Sequence, residues 1–286
     1  MKLLFYFFFG ICSAGFIFAH DGLPHILLIG AQKSGTTALM KILCQHPNIV
    51  SQSSNEGRPV HFFNFHYENG IDWYKGQFPQ SVSSDTLLLD KTPDYLFYSN
   101  VPEKAFQLLP KAKIIVLLRN PVDRAYSQYW MHIRRGFESS SFEKAIAAER
   151  RNLGQPFESI LEQWDVFSAA DVGRYTHLSR GLYAIQLERW FRYYPRNQIL
   201  IIETEDLHKN IQKTTEDIVA FLGLPPYEGF DFSVGKVHRY PPMALETRLE
   251  LSRFFQPFNQ LLETLLERKF DWNEENLSQC REKNME

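Results

Sequence analysis

Between residue 26 and about residue 272, short apolar runs alternate with longer amphipathic stretches. Four runs, at residues 26–29, 86–89, 114–118 and 198–202, are apolar at successive positions apart from the leading Thr86 and Gln198, the pattern of strands buried on both faces. Segments 36–44, 101–109, 122–133, 142–150, 181–194 and 211–222 instead repeat apolar residues every three or four positions, as helices with one buried face do. Near the end, Leu245, Leu249, Phe254, Phe258, Leu261 and Leu265 recur at helical spacing, and Pro257 predicts a break into two helices. This alternation predicts an α/β fold of three layers, a central, mostly parallel sheet covered by helices. There is no internal repeat and no low-complexity segment.

The first strand runs into a loop with its own chemistry, Gly30-Ala31-Gln32-Lys33-Ser34-Gly35-Thr36-Thr37. Glycine permits positive φ angles and close backbone approach, which a loop wrapped around a phosphate needs. The helix that follows presents unpaired N–H groups and a partial positive charge to an anion. Lys33 adds a full charge, and Ser34, Thr36 and Thr37 add hydroxyl donors. The spacing is that of a P-loop, G-x-x-x-x-G-K-[ST], except that Thr36 stands where the lysine belongs and the lysine lies inside the loop.

A second anion site is expected at the end of the run 114–118. In an open α/β sheet, ligands bind at the carboxyl ends of strands, which places Arg119 in the cleft. Pro121 suits the first turn of a helix, and Ser127 lies two turns beyond Arg119. The competing expectation is an arginine that ends a strand and pairs with Asp123.

The remaining composition narrows the function. A net charge of −2 gives no sign of a nucleic-acid partner, which favours a strongly basic domain; an anionic substrate would have to be met by a local basic cleft. Residues 1–19 are an apolar run after Lys2, a signal peptide or signal anchor, so membrane contact is expected only through this segment if it is retained. The folded part, 24–272, is then expected in the secretory pathway, in the Golgi lumen if the anchor stays, or secreted or periplasmic if it is cleaved. Residues 273–286 form a polar tail that includes the glycosylation triplet Asn276-Leu277-Ser278. Cys12, Cys44 and Cys280 suggest no disulfide framework and no metal-ligand spacing.

Gln32-Lys33-Ser34-Gly35-Thr36-Thr37 resembles the 5′-phosphosulfate loop of sulfotransferases that use 3′-phosphoadenylyl sulfate (PAPS). The stretch from Leu118 to Ser127 resembles their 3′-phosphate motif. Within that family the carbohydrate branch, heparan sulfate N- and 3-O-sulfotransferase domains and related bacterial enzymes, is the most similar. His61-Phe62-Phe63-Asn64, Gly70-Ile71-Asp72-Trp73-Tyr74, Asp90-Lys91-Thr92-Pro93-Asp94-Tyr95, Gly181-Leu182-Tyr183 and Phe270-Asp271-Trp272 carry the likeness. The resemblance implies a nucleotide-kinase-like fold, PAPS as co-substrate without a metal, and a carbohydrate or other hydroxyl or amine acceptor. It implies that Lys33, Ser34, Gly35, Thr36 and Thr37 hold the 5′-phosphosulfate, that Arg119 and Ser127 hold the 3′-phosphate, and that Lys91 faces the sulfonate or an anionic acceptor.

The chain departs from this pattern twice. Pro59 stands where the heparan enzymes carry the glutamate proposed as base, which leaves His61 as the expected base and Glu56 as the alternative. The disulfide-closed hairpin before a C-terminal Lys-Gly-Arg element is missing, so Lys236 matches that lysine and Arg239 is a shifted substitute for its arginine. Two other functions stay open at this level. One is a P-loop kinase or hydrolase, with Asp90 as a strand-ending magnesium ligand. The other is a non-catalytic, glycan-binding relative. Trp73, Tyr74 and Trp130 either line a sugar groove or belong to the core.

Overall fold

The computed structural model describes residues 21–53, 57–153, 176–233 and 240–273. Five strands, β1 (Ile26–Gly30), β2 (Ile49–Ser51), β3 (Leu87–Lys91), β4 (Lys113–Leu118) and β5 (Ile199–Glu203), form one sheet in the order β2-β3-β1-β4-β5. Every pairing is parallel, with Ile26 opposite both Leu89 and Lys113, and Leu118 opposite Glu203.

The described α-helices are α1 (Thr36–Leu43), α2 (Gly70–Lys75), α3 (Val101–Leu108), α4 (Pro121–Arg134), α5 (Phe142–Leu153), α6 (Tyr183–Tyr193), α7 (Thr204–Lys209), α8 (Ile211–Leu222) and α9 (Leu245–Leu266). Successive strand residues point to opposite faces, which makes the three layers. Leu27, Ile29, Ile114, Val116 and Leu118 meet Val101 of α3, Val122 and Ala125 of α4, Trp190 of α6 and Phe255 of α9. Ile26, Leu28, Ile115 and Leu117 meet Leu39 and Leu43 of α1 and Ile218 of α8. With both faces covered, β1 and the stretch of β4 after Lys113 have no room for a polar side chain, which explains their apolar sequence.

Three expectations need correction. β2, with only Ile49 and Val50 as apolar positions, is too short to give a periodic signal. The strand expected at 86–89 begins one residue later and continues through Asp90 and Lys91. Pro257 does not split the last helix, because α9 runs through it. A proline inside a helix costs about 3 kcal/mol. The buried stripe of Leu251, Phe255, Phe258 and Leu262 spans both sides of Pro257. Burying each such side chain is worth about 1.5–3 kcal/mol, so together they outweigh the proline.

The signal segment 1–19, Glu56, Lys236, Arg239 and the triplet at Asn276 lie outside the described residues. Among the described residues, no helix is long and apolar enough to cross a membrane.

The strand order sets the position of the site. After β1 the chain moves to one side of it, through β2 and β3, then crosses to β4 and β5 on the other. The carboxyl ends of β1 and β4 therefore flank the crevice at the switch in direction, where α/β sheets take their ligands.

Candidate active site

The loop after β1 is held by its neighbours. Ala31 N–H donates to Leu117 O at 2.6 Å, and Ser34 N–H donates to Ala31 O at 3.1 Å. Gly35, at φ 88°, turns the chain into α1, a left-handed conformation that a side chain would strain. A Cβ on Gly30 would lie 2.7 Å from Leu96 Cβ, so the loop leaves its strand through a gap only glycine fits. Thr204 Oγ1 donates to Ser34 O at 2.9 Å and fastens the loop to the start of α7.

Arg119 joins the two phosphate motifs. Its Nη1 donates to Lys33 O at 3.1 Å, and Tyr183 Oη donates to Arg119 O at 2.8 Å. Asp123, the partner considered for Arg119, is instead held by Arg248 at 2.6 Å. Asn120 caps α4 by accepting from Val122 N–H at 3.1 Å, and Pro121 occupies the first turn. Ser127 follows on the same helix, 8% exposed.

The electrostatics of the loop favour an anion. Lys33 is pushed down to about 8, first by burial and then by the guanidinium groups of Arg134, Arg119, Arg135 and Arg124. A lysine among four arginines is relieved by a bound polyanion, which would restore its proton affinity. Ser34 Oγ is buried with no hydrogen-bond partner, an orphan donor within the loop. Thr36 is buried, whereas Gly35 and Thr37 are exposed at the helix N-terminus. These features fit a phosphate-bearing ligand.

On the other side of β1, β3 ends in Asp90-Lys91-Thr92. Asp90 is fully buried and accepts from Thr92 Oγ1 at 2.6 Å, Tyr74 Oη at 2.7 Å and Tyr95 Oη at 2.9 Å. Three hydroxyls saturate this carboxylate, so it is a structural hub and not a magnesium ligand open to the cleft. Lys91 is 2% exposed, pushed down to about 8 by burial, and donates to Gly57 O. It thereby braces the segment that leads into His61.

His61 sits in the left-handed region at φ 57°, at the start of a π-helical turn, Phe62–His66. Such turns are frequent at functional sites. Phe62 and Phe63 point into the core, while the His61 side chain stays 24% exposed, so it is not a core histidine. Its Nδ1 lies 3.3 Å from Asn64 Nδ2 and its Nε2 lies 3.8 Å from Asp94 Oδ2. Burial lowers its proton affinity, and Asp94 works in the opposite direction. The Phe65 ring, 5.2 Å from that of His61, is 55% exposed and forms an aromatic lip beside it. Tyr74 proves to be core; Trp73 is half-buried against Phe62, and Trp130 is half-buried beside Tyr126 and Tyr240.

Several residues of this region escaped the sequence reading. Asp94 and Arg180 form a pair at 2.6 Å, and Gln32 Nε2 of the phosphate loop donates to the same Asp94 oxygen at 3.2 Å. Arg134 and Arg135, exposed at the C-terminal end of α4, add positive charge that acts on Lys33. The available signals were Asp94 just beyond a strand end and Arg180 before Gly181-Leu182-Tyr183, neither of which reveals a partner. Among the described residues, no group of three or more His, Cys, Asp or Glu side chains is arranged to hold a metal ion.

A parallel sheet with a glycine-bounded, cationic loop at its switch point places the chain among α/β proteins suited to phosphate-bearing ligands. Comparison with known proteins specifies which. The sulfotransferase domain family matches residues 23–234. Bifunctional heparan sulfate N-deacetylase/N-sulfotransferase 2 of Homo sapiens is 34% identical over 87% of this chain, which spans 30% of that protein. The membrane-associated sulfotransferase kil1 of Dictyostelium discoideum is 28% identical, with 87% of this chain and 66% of that protein covered. The crystal structure of a sulfotransferase from Alicyclobacillus acidocaldarius superposes with a TM-score of 0.70 at 28% identity, covering 87% of this chain and 98% of that one. The chain belongs to the sulfotransferase domain family.

Proposed function

We propose that this enzyme moves a sulfonate from PAPS to a hydroxyl or amine of a carbohydrate, by in-line transfer without a metal ion. The observation that carries this reading is the meeting of the two anion motifs, with Arg119 bonded to the Lys33 carbonyl inside a cluster of cations. A donor with phosphate at both the 5′ and 3′ positions supplies the charge that such a cluster demands.

In this reading Lys33, Ser34 and the backbone N–H groups of Gly35, Thr36 and Thr37 hold the 5′-phosphosulfate. They stabilise the charge that collects on the departing phosphate. Arg119 and Ser127 hold the 3′-phosphate and so separate PAPS from ATP. His61 takes the acceptor proton. Burial keeps its imidazole neutral near pH 7, the form a base requires. Glu56 is the alternative base. Lys91, buried and bonded to Gly57 O, contributes from behind the acceptor side by bracing the segment that carries His61, and Lys236 and Arg239 are further donor-binding residues. The exposed face of Phe65 suits a sugar ring stacked beside His61. The relatives that act on heparan sulfate support a carbohydrate acceptor, and the leading apolar segment supports a Golgi-lumenal, membrane-anchored enzyme.

The test is transfer of labelled sulfate from PAPS to a panel of glycans and small alcohols. Transfer to a glycan is expected, and its loss in Lys33→Ala. A protein that binds adenosine 3′,5′-bisphosphate or glycan but never transfers sulfate would overturn this reading.

A further inference from the structure

Asp94 is the point at which the two halves of the site touch. One carboxylate oxygen, Oδ1, is occupied by Arg180 Nη1 at 2.6 Å and by Gln32 Nε2 at 3.2 Å. Gln32 is the immediate neighbour of Lys33 in the phosphate loop. The other oxygen, Oδ2, is turned to His61 Nε2 at 3.8 Å. Arg180 is fixed behind Asp94: its Nε donates to Thr176 Oγ1 at 2.9 Å, and Gln128 Nε2 donates to the same oxygen at 3.1 Å. Gln128 in turn accepts from Arg124 Nη1 at 2.8 Å, which ties the network to the helix that carries Ser127. The guanidinium of Arg180 also lies over the Phe97 ring at 4.5 Å.

A carboxylate held this firmly on one oxygen presents the other in a fixed direction. We infer that Asp94 is the positioning residue for His61, the two forming an imidazole–carboxylate pair oriented by Arg180 and Gln32. The inference rests on the reading of His61 as base. With Nε2–H turned to Asp94, the lone pair lies on Nδ1, where Asn64 Nδ2 donates at 3.3 Å. When an acceptor displaces that amide, its O–H or N–H bond breaks and an Nδ1–H bond forms. The bonding electron pair stays on the acceptor atom and forms the new bond to sulfur, while the bond from sulfur to the bridging oxygen of PAPS breaks and its pair leaves on the 5′-phosphate. The ring gains a positive charge, and Asp94 is placed to stabilise it from the opposite side.

A purely structural pair would also tie Asp94 to Arg180, so the test must read His61 itself. Burial opposes its charge most, Asp94 and the hydrogen bond to Asn64 favour the protonated form, and His66 and Arg180 oppose it more weakly. Lys91 acts in turn on Asp94. Removing the Asp94 charge must therefore lower the proton affinity of His61.

The experiment follows the His61 ring by NMR in the full chain, assigned with His61→Gln, through a pH titration of wild type and Asp94→Asn. Turnover of N-desulfated heparan sulfate with PAPS is measured in parallel. The expected result is a His61 titration about 1 pH unit lower in Asp94→Asn, the usual scale for one close opposite charge. The acid limb of kcat should move with it, and the plateau should fall roughly tenfold with the donor KM unchanged. If the single variant does not fold, Asp94→Asn/Arg180→Met leaves no unpaired buried charge and should shift the titration in the same direction. A titration that stays in place, with His61→Ala inactive, overturns the Asp94 role and leaves the base intact. Full turnover in His61→Ala overturns the base, and the Asp94 role with it.

Discussion

At the scale of single residues, Lys33 carries a charge that the fold makes costly. Its folded proton affinity, about 8, lies below the ordinary 10.5. Below pH 8 the folded protein must carry the ammonium among four arginines, and stability is reduced. Between pH 8 and 10.5 the unfolded chain still binds the proton that the folded chain has released, so this penalty fades as pH rises. Lys33→Met should therefore gain thermal stability relative to wild type at pH 7, and the gain should shrink towards pH 10.5; an unchanged gain would place Lys33 away from the cations. Arg119→Ala should weaken adenosine 3′,5′-bisphosphate by about 1.5–3 kcal/mol in calorimetry, the worth of a charge-assisted hydrogen bond, while 5′-AMP loses far less. Equal losses would argue against a 3′-phosphate contact. Lys33 and Arg119 were legible in the sequence because each lies just beyond an unmistakable strand. Asp94 and Arg180 were not, since the pair joins residues 86 apart and nothing local to either requires the other.

At the scale of elements, legibility followed burial. β1 and β4, covered on both faces, could be read nearly to the residue, and α8 matches the span expected from its periodicity. β2 and the π-turn at Phe62–His66 were not, because each is shorter than a period count needs. The π-turn nonetheless decides the site: it sends Phe62 and Phe63 inward while leaving His61 and Phe65 at the surface. Proline at 257 was misread for a different reason, as local propensity yielded to tertiary packing. Pro257→Ala should accordingly stabilise the protein. It removes a penalty of about 3 kcal/mol in the helix and forfeits about 0.4–1 kcal/mol of unfolded-state restriction, so a gain of about 2 kcal/mol is expected in denaturant unfolding. A loss of stability would mean that the proline ring fills space the helix depends on.

At the scale of the whole molecule, a net charge of −2 conceals a local concentration of positive charge around Lys33. The charges of Arg119, Arg124, Arg134 and Arg135 all act on Lys33, while nearby carboxylates are engaged, Glu205 by the Asn120 N–H and Asp94 by Arg180, and others form pairs such as Arg248–Asp123 and Arg268–Glu203. Overall composition gives no sign of a nucleic-acid partner and could not reveal this concentration of charge, which exists only once parallel pairing aligns the ends of β1 and β4. The same convergence separates this protein from P-loop kinases, whose strand-ending aspartate holds magnesium; here Asp90 is enclosed by three hydroxyls. Sulfonate transfer from PAPS in the presence of EDTA, measured for wild type and Lys33→Ala, tests this most directly. Undiminished transfer by the wild type and none by a folded Lys33→Ala is the expected result. Transfer that survives in Lys33→Ala, or that requires a restored divalent metal, would contradict it.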